Sequence, residues 1–424
     1  MYLKSKKSIL STLNPTLAWP FIAAFLLEML QTKLLDSIAV MALLFWVILL
    51  CNKKLIDVVI KSTKAYSLIA FEIWGALSLI WSFLPMTSAY IIVNELAFFI
   101  LGMLLAYYLV LNNKTIGDSL KLSALILTLL VLFYSVVFYG SSTSSGGFKS
   151  FYSHKNGLGF VMAVCFLIIF CTANKRFYEY FLMITTFIFL VLSQSKTPLN
   201  LVLFTVFILG IAKLIRYWFN NSAKFTQNLI LLATKFIPYI IYLIVFLLVI
   251  FREDVASYLM QVITDDLFTG RGQLWNAVLS RSSDNLLMGI GPGVFWGAGR
   301  ASEIAQTPLY IFEWIQNLRS ADGGYIDLIG SLGFIGLAII LITHIQVYQL
   351  LFKVNNNKDA PVLFALITFN ILHNITETDI YKFKDPLWFL YICIFFYLIF
   401  LDKNTQQPKL IKQNIKSILN EKTE

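Results

Sequence analysis

TGRGQLWNAVLSRSSDNLLMGIGPGVFWG, Thr269 to Gly297, is the stretch whose reading decides the fold. It lies in the long polar interval, roughly Arg252 to Gly323, of a very apolar chain. Arg271 and Trp275 are four residues apart, so a helix here carries both on one face. Gly289, Gly291 and Gly293 follow and give tight backbone with no side chains in the way. A cation, an aromatic plate and a bare loop suit a ligand with phosphates at one end and sugar rings at the other. The alternative is an amphipathic helix lying on the bilayer surface and ending in a glycine turn.

The flanks of this interval are membrane-like. The chain has 424 residues, 58% of them hydrophobic and 13% charged, and its mean hydropathy is +0.75. Soluble domains carry about 25% charged residues. The apolar runs have helical rather than strand length, which predicts an all-α polytopic membrane protein of about 12 transmembrane helices with one large external loop. The spans read as 16–31, 34–51, 65–84, 90–111, 119–139, 156–173, 177–193, 199–219, 236–251, 324–352, 360–378 and 387–401. The chain therefore divides into an N-terminal bundle (1–251), a periplasmic loop (252–323), C-terminal helices (324–401) and a cytoplasmic tail (402–424).

Charge sets the expected orientation. The net charge of +10 is explained by lysines on the cytoplasmic side and needs no nucleic acid. With both termini cytoplasmic, Lys and Arg favour the cytoplasmic connections two to one, and more strongly once the long loop is set aside. That loop, in the periplasm, holds five of the seven arginines (Arg252, Arg271, Arg281, Arg300 and Arg319) and no lysine. Arginine grips phosphate or carboxylate with a planar fork. Eight acids also lie there, so some of these arginines serve ion pairs within the loop. Cys51, Cys165, Cys171 and Cys393 all fall in apolar runs and read as small buried hydrophobes. With three histidines and no close His/Cys cluster, no metal and no cofactor is expected.

Four blocks carry a family resemblance: FYSHKNGLGFVMA (Phe151–Ala163), LSQSKTPLNLVL (Leu192–Leu203), the Arg271-x-x-x-Trp275 segment leading to GIGPGVF, and SADGGYIDLIGSLGFIG (Ser320–Gly336). In this order, around a long external loop, they resemble the O-antigen ligase and polymerase superfamily of bacterial surface-polysaccharide enzymes. Ligases of that superfamily usually carry His-Asn at the re-entry into the membrane, where this chain has Asp322-Gly323. The resemblance implies a glycosyltransferase of the inner membrane whose partners are undecaprenyl-diphosphate-linked oligosaccharide and membrane lipid. A chain-length regulator and other polysaccharide-assembly proteins are implied as well. The implied reaction joins repeat units into O-antigen, capsule or exopolysaccharide. The rivals are a ligase that transfers polymer to lipid A core, and a flippase. A transporter would be expected to show repeated halves and broken helices, neither of which is clear in the sequence.

Within that frame Arg271 is the first candidate for the diphosphate, with an ion pair to Asp265 or Asp266 as its alternative. Arg319 is a second cation, and Asp322 a group to orient or deprotonate the acceptor hydroxyl. Lys196 either contacts phosphate or snorkels. Trp275, Gly289, Gly291, Gly293, Tyr325, His154, His373 and Glu377 are expected to line the substrate site. His154 and Lys155 open a span, with Asn156 as its expected cap. His373 and Glu377, four apart, are expected on one helix face near the external end. His344 lies within a span, and Glu28, Glu72 and Glu95 are in-span acids with no evident partner.

Overall fold

A computed structural model describes residues 63–144, 146–152, 154–172, 176–218, 271–296, 299–354, 358–382 and 385–402. The expected spans 16–31, 34–51 and 236–251, and with them Glu28, Asp265 and Asp266, lie outside the described residues. Each of the other nine expected spans coincides with an apolar helix. They are α1 (Tyr66–Leu77), α2 (Pro85–Leu111), α3 (Ile116–Val137), α4 (Lys155–Cys171), α5 (Phe177–Leu192) and α6 (Lys196–Trp218), followed by α8 (Gly324–Lys353), α9 (Ala360–His373) and α10 (Pro386–Asp402). The helix α7 (Arg271–Arg281) belongs to the polar interval. Among the described residues α2, α3 and α8 are long and apolar enough to cross a membrane by themselves, and the other apolar helices are shorter. The β-structure described is a two-residue hairpin, Thr143–Ser144 with Gly147–Phe148.

The helices pack around α10, whose residues from Leu387 to Phe400 are all buried. A helix apolar on every face belongs in the middle of a bundle. Trp388 stacks on Tyr391, and Phe98, Phe99 and Tyr107 of α2 meet Phe389, Phe396 and Phe400. Around this centre α4 packs against α3, α5, α6 and α9, and α8 packs against α1 and α7.

α1 ends at Leu77, short of the expected 84, and passes into a short turn at Ser78–Ile80. Three further departures from expectation have local reasons. α2 begins at Pro85, five residues before the expected span, because proline without an N–H is well placed in a first helical turn. α9 ends at His373 instead of continuing to 378. The Asn374 side chain there accepts from the backbone N–H of Asp379 and Ile380, which turns the chain away from the helix axis. α8 is broken at Gly333, whose φ of 70° and ψ of −173° are not helical. A glycine-interrupted helix, which was not clear from the sequence, is therefore present. Its freed carbonyls are satisfied: Trp74 Nε1 donates to Leu332 O at 2.9 Å, Ile290 N to Gly330 O and Gly291 N to Ser331 O, both at 2.9 Å. That accounting is what allows a break in a membrane helix.

The polar interval has a core of its own. Leu274, Val278, Leu279, Leu286, Ile290, Val294 and Ile304 cluster with Ile329 and Phe334 of α8. The described part of the interval is thus seated on the first half of α8, with α7 packed against it.

Candidate functional site

Arg271 opens α7, and its guanidinium reaches two acids from elsewhere in the chain. Nη2 donates to Glu377 Oε1 at 2.7 Å, and Nε lies 3.9 Å from Asp322 Oδ2. The three side chains are only partly covered, at 20%, 23% and 36% exposure, so a ligand can reach the cluster. Asp322 sits in a left-handed turn, with φ of 50°, between the polar interval and α8. Glu377 lies in the turn between α9 and α10. Burial, and then the negative charge of Asp322, hold the Glu377 carboxyl above its ordinary range, and Arg271 partly offsets them.

Asp327, in the first turn of α8, fixes the two acid-bearing turns. Its Oδ1 accepts from Trp296 Nε1 at 2.8 Å. Its Oδ2 accepts from Ala321 N at 2.9 Å and from Thr378 Oγ1 at 2.7 Å. Thr378 Oγ1 in turn accepts from Gly323 N at 3.1 Å, and Gly324 N donates to Glu377 O at 2.8 Å. Residues 321–324 and 377–378 are therefore held to one another, and Asp322 and Glu377 with them. Asp327 was not singled out from the sequence. Its signal there is an acid just inside a long apolar segment, one residue type among several with that property.

The remaining expected site residues fall into different surroundings. Trp275 is one helical turn from Arg271, as the spacing required, but it is 4% exposed. Its Nε1 donates to Ala321 O at 2.9 Å and its ring lies against Gly323. It braces the Asp322 turn from beneath, so the expectation of an open stacking plate is corrected. The three glycines are corrected as well. A Cβ on Gly289 would lie 2.3 Å from Ser331 O, on Gly291 2.4 Å from Ser82 Oγ, and on Gly293 2.2 Å from Ile91 Cδ1. All three have positive φ. They allow the loop to dock on α2 and the broken α8, and protein fills the space expected for phosphate.

Tyr325 points into the bundle, where its hydroxyl donates to Ile371 O at 3.0 Å and meets His344 Nε2 at 3.3 Å. His344 Nδ1 is 2.7 Å from Tyr391 Oη. Tyr325 is half-buried, and these contacts fix its hydroxyl end. His373 and Glu377 do not share a helix face, because α9 stops between them. His373 Nδ1 is instead 2.7 Å from Asp379 Oδ2, and its ring stacks on Phe369 with Phe160 of α4 beside it.

His154, not Asn156, caps α4: its Nδ1 accepts from Asn156 N at 3.2 Å. Asn156 Oδ1 instead accepts from Ser195 Oγ at 3.2 Å, which ties the first two sequence blocks together. Lys155 Nζ donates to Gly146 O of the hairpin. Lys196 is exposed at the start of α6, and Arg319 is exposed with no described residue paired to it. Neither makes a contact with the Arg271 cluster among the described residues.

Comparison with known proteins supports the resemblance carried by the sequence blocks. Residues 181–341 match a family model described as O-Antigen ligase. The match supports the O-antigen ligase and polymerase superfamily and a role in polysaccharide assembly. It begins in α5, ends in α8 and contains Lys196, Arg271, Asp322 and Asp327. The block at 151–163 and the turn bearing Glu377 lie outside it. No curated protein matches the chain.

Proposed function

We propose that the protein polymerises undecaprenyl-diphosphate-linked oligosaccharide units at the periplasmic face of the inner membrane. The observation that carries this reading is the partly covered cluster of Arg271, Glu377 and Asp322, within and beside the matched segment. The diphosphate is already a good leaving group, so the protein has three tasks. It stabilises the departing phosphate, takes a proton from the acceptor hydroxyl, and holds the two substrates in line.

Arg271 leaves Glu377 for the diphosphate, where its fork meets more negative charge than one carboxylate offers. Glu377, released and already above its ordinary range, accepts the proton of the attacking hydroxyl. The new bond forms between that oxygen and the anomeric carbon, and the bond from that carbon to the phosphate oxygen breaks. Asp322 orients the hydroxyl and keeps the proton affinity of Glu377 high. Lys196 and Arg319 are kept as secondary phosphate contacts. The donor polyprenyl chain lies in the membrane, and a chain-length regulator acts from outside this polypeptide.

A ligase is the second reading, favoured by the description of the matched family itself. The polysaccharide of a deletion strain separates the possibilities. Single repeat units on the normal acceptor mean a polymerase. Full-length chains stranded on undecaprenyl diphosphate mean a ligase, and units trapped inside the cell mean a flippase. Restoration by the wild-type gene but not by Arg271→Ala ties the activity to the cluster.

A further inference from the structure

The turn that presents Glu377 to Arg271 is closed at its base by one carboxylate oxygen. Asp379 Oδ2 lies 2.7 Å from His373 Nδ1 and accepts from Asn374 Nδ2 at 3.1 Å. A carboxylate only accepts, so the His373 proton facing it sits on Nδ1. The backbone is fastened to the same residues. His373 O accepts from Thr376 N at 3.1 Å and from Glu377 N at 2.9 Å. Asn374 Oδ1 accepts from Asp379 N and Ile380 N, each at 2.9 Å. His373, Asn374 and Asp379 are all buried, whereas Glu377 reaches out from between them to the partly covered cluster.

The base of the turn is itself held from three sides. Phe369 of α9 stacks on the His373 ring, and Phe160 of α4 lies beside it. Phe160 belongs to the block Phe151–Ala163, which lies outside the matched segment, so that block reaches the Arg271 cluster through this histidine. Asn374 Nδ2 also donates to Asn370 O at 2.8 Å. The start of α8 closes from the other side: a Cβ on Gly324 would lie 2.3 Å from Asn374 Oδ1, and Gly324 N donates to Glu377 O.

A buried carboxylate–imidazole pair is a poor way merely to hold two helices together, since apolar side chains of similar volume do so without desolvating a charge. What it supplies is direction, because one oxygen with two donors holds the turn in one place. Glu377 stands four residues after the histidine and two before the aspartate, so its position follows from theirs. A displacement on the order of 1 Å at a reacting group costs about a hundredfold in rate. We propose that Asp379, held by His373 and Asn374, is a positioning residue for Glu377. Asp327 ties the two acid-bearing turns to each other, and Asp379 gives one of them its shape. The inference rests on the reading of Glu377 as part of the reacting site.

The test compares full-length wild type, Asp379→Leu, Asp379→Asn, His373→Phe and Glu377→Gln. Amide hydrogen exchange of the purified proteins in lipid nanodiscs reads the opening of the turn without reference to the reaction. The rate of polysaccharide formation per folded enzyme, in a complemented deletion strain, reads function. Asp379→Leu should speed exchange in peptides covering 320–327 and 374–381, leave α10 protected, and lower the rate about a hundredfold. Asp379→Asn should keep most of the protection and most of the rate, because an amide oxygen in the same place accepts the same two hydrogen bonds. His373→Phe keeps a ring between Phe160 and Phe369 but removes the N–H, and should fall between the two. It decides the matter if Asp379→Leu does not fold. Glu377→Gln should lose the rate while its exchange stays as in wild type. Unchanged exchange in both Asp379→Leu and His373→Phe overturns the inference, as does faster exchange with a normal rate. A loss in Asp379→Asn as deep as in Asp379→Leu also overturns it, since charge and not the closed turn would then be what matters. A normal rate in Glu377→Gln overturns the reading of the site and this inference with it, which sets that failure apart from the others.

Discussion

Arg271 and Glu377 are 106 residues apart in sequence, and the Arg271 guanidinium donates to the Glu377 carboxylate at 2.7 Å. The contact joins the polar interval to the turn between the last two described helices. It brings a cation and two acids into one partly covered group. Each of the two residues was a candidate from the sequence, but with a different neighbour.

Arg271→Ala should abolish polymer while leaving membrane insertion intact. An ion pair that still touches solvent contributes about 1 kcal/mol, so the fold should survive the loss. Losing a contact to the departing diphosphate costs about 3 kcal/mol, roughly a hundredfold in rate. Arg271→Lys should recover only part of the activity, since a point charge replaces the fork. The assay is polymer per folded enzyme, and near-normal values for Arg271→Ala would remove this residue from the site.

If Glu377 is the base, activity rises with pH through a value above the ordinary carboxylate range, because burial and Asp322 hold its proton. Asp322→Asn should move that limb to lower pH. The stability contribution runs the other way. A carboxyl whose folded pKa is raised favours the fold below its unfolded value, and this is lost as pH rises through the folded value. Activity and unfolding temperature, measured across the same pH series in both proteins, check the two signs. A limb that does not move in Asp322→Asn would rule out the coupling.

Asp327→Asn should preserve helix content and depress turnover. The amide places a donor where Ala321 N and Thr378 Oγ1 now donate, which leaves a buried group unsatisfied at about 1–3 kcal/mol. Thr378→Val removes one of those donors and should recover part of the loss when combined with Asp327→Asn. Additive defects in the double variant would argue against a shared positioning role.

Gly289→Ala and Gly299→Ala test the docking of the loop on the broken helix. Both glycines have positive φ, but a Cβ on Gly289 strikes Ser331 O whereas one on Gly299 meets nothing within 4 Å. Gly299→Ala should cost only the backbone strain, on the order of 1 kcal/mol. Gly289→Ala should cost clearly more, read as a lower unfolding temperature in detergent. Equal costs would mean the loop is not seated as described.

The side of the membrane is tested by labelling. Ile311 is 82% exposed in the polar interval. Ile311→Cys should react with an impermeant maleimide in cells whose outer membrane alone is permeabilised. Reaction only after lysis of the inner membrane would reverse the orientation read from the lysines.

Hydropathy by itself determined the helices, because burying a backbone in lipid or in a bundle demands a continuous apolar run with its hydrogen bonds made locally. The runs at 119–139, 156–173, 177–193 and 387–401 match the helices α3, α4, α5 and α10 to within a few residues. The four-residue spacing of Arg271 and Trp275 was likewise a local property, and it holds in α7. Only the tertiary structure decided which side of that helix meets protein. Trp275 turned inward because Ala321 offers it an acceptor, and the glycines closed against α2 and α8 because close approach is what a missing Cβ permits. Glu377 lies 106 positions from Arg271, and Trp296 and Thr378 lie 31 and 51 positions from Asp327. A charge seeks its partner through space, and periodicity along the chain carries no record of that distance.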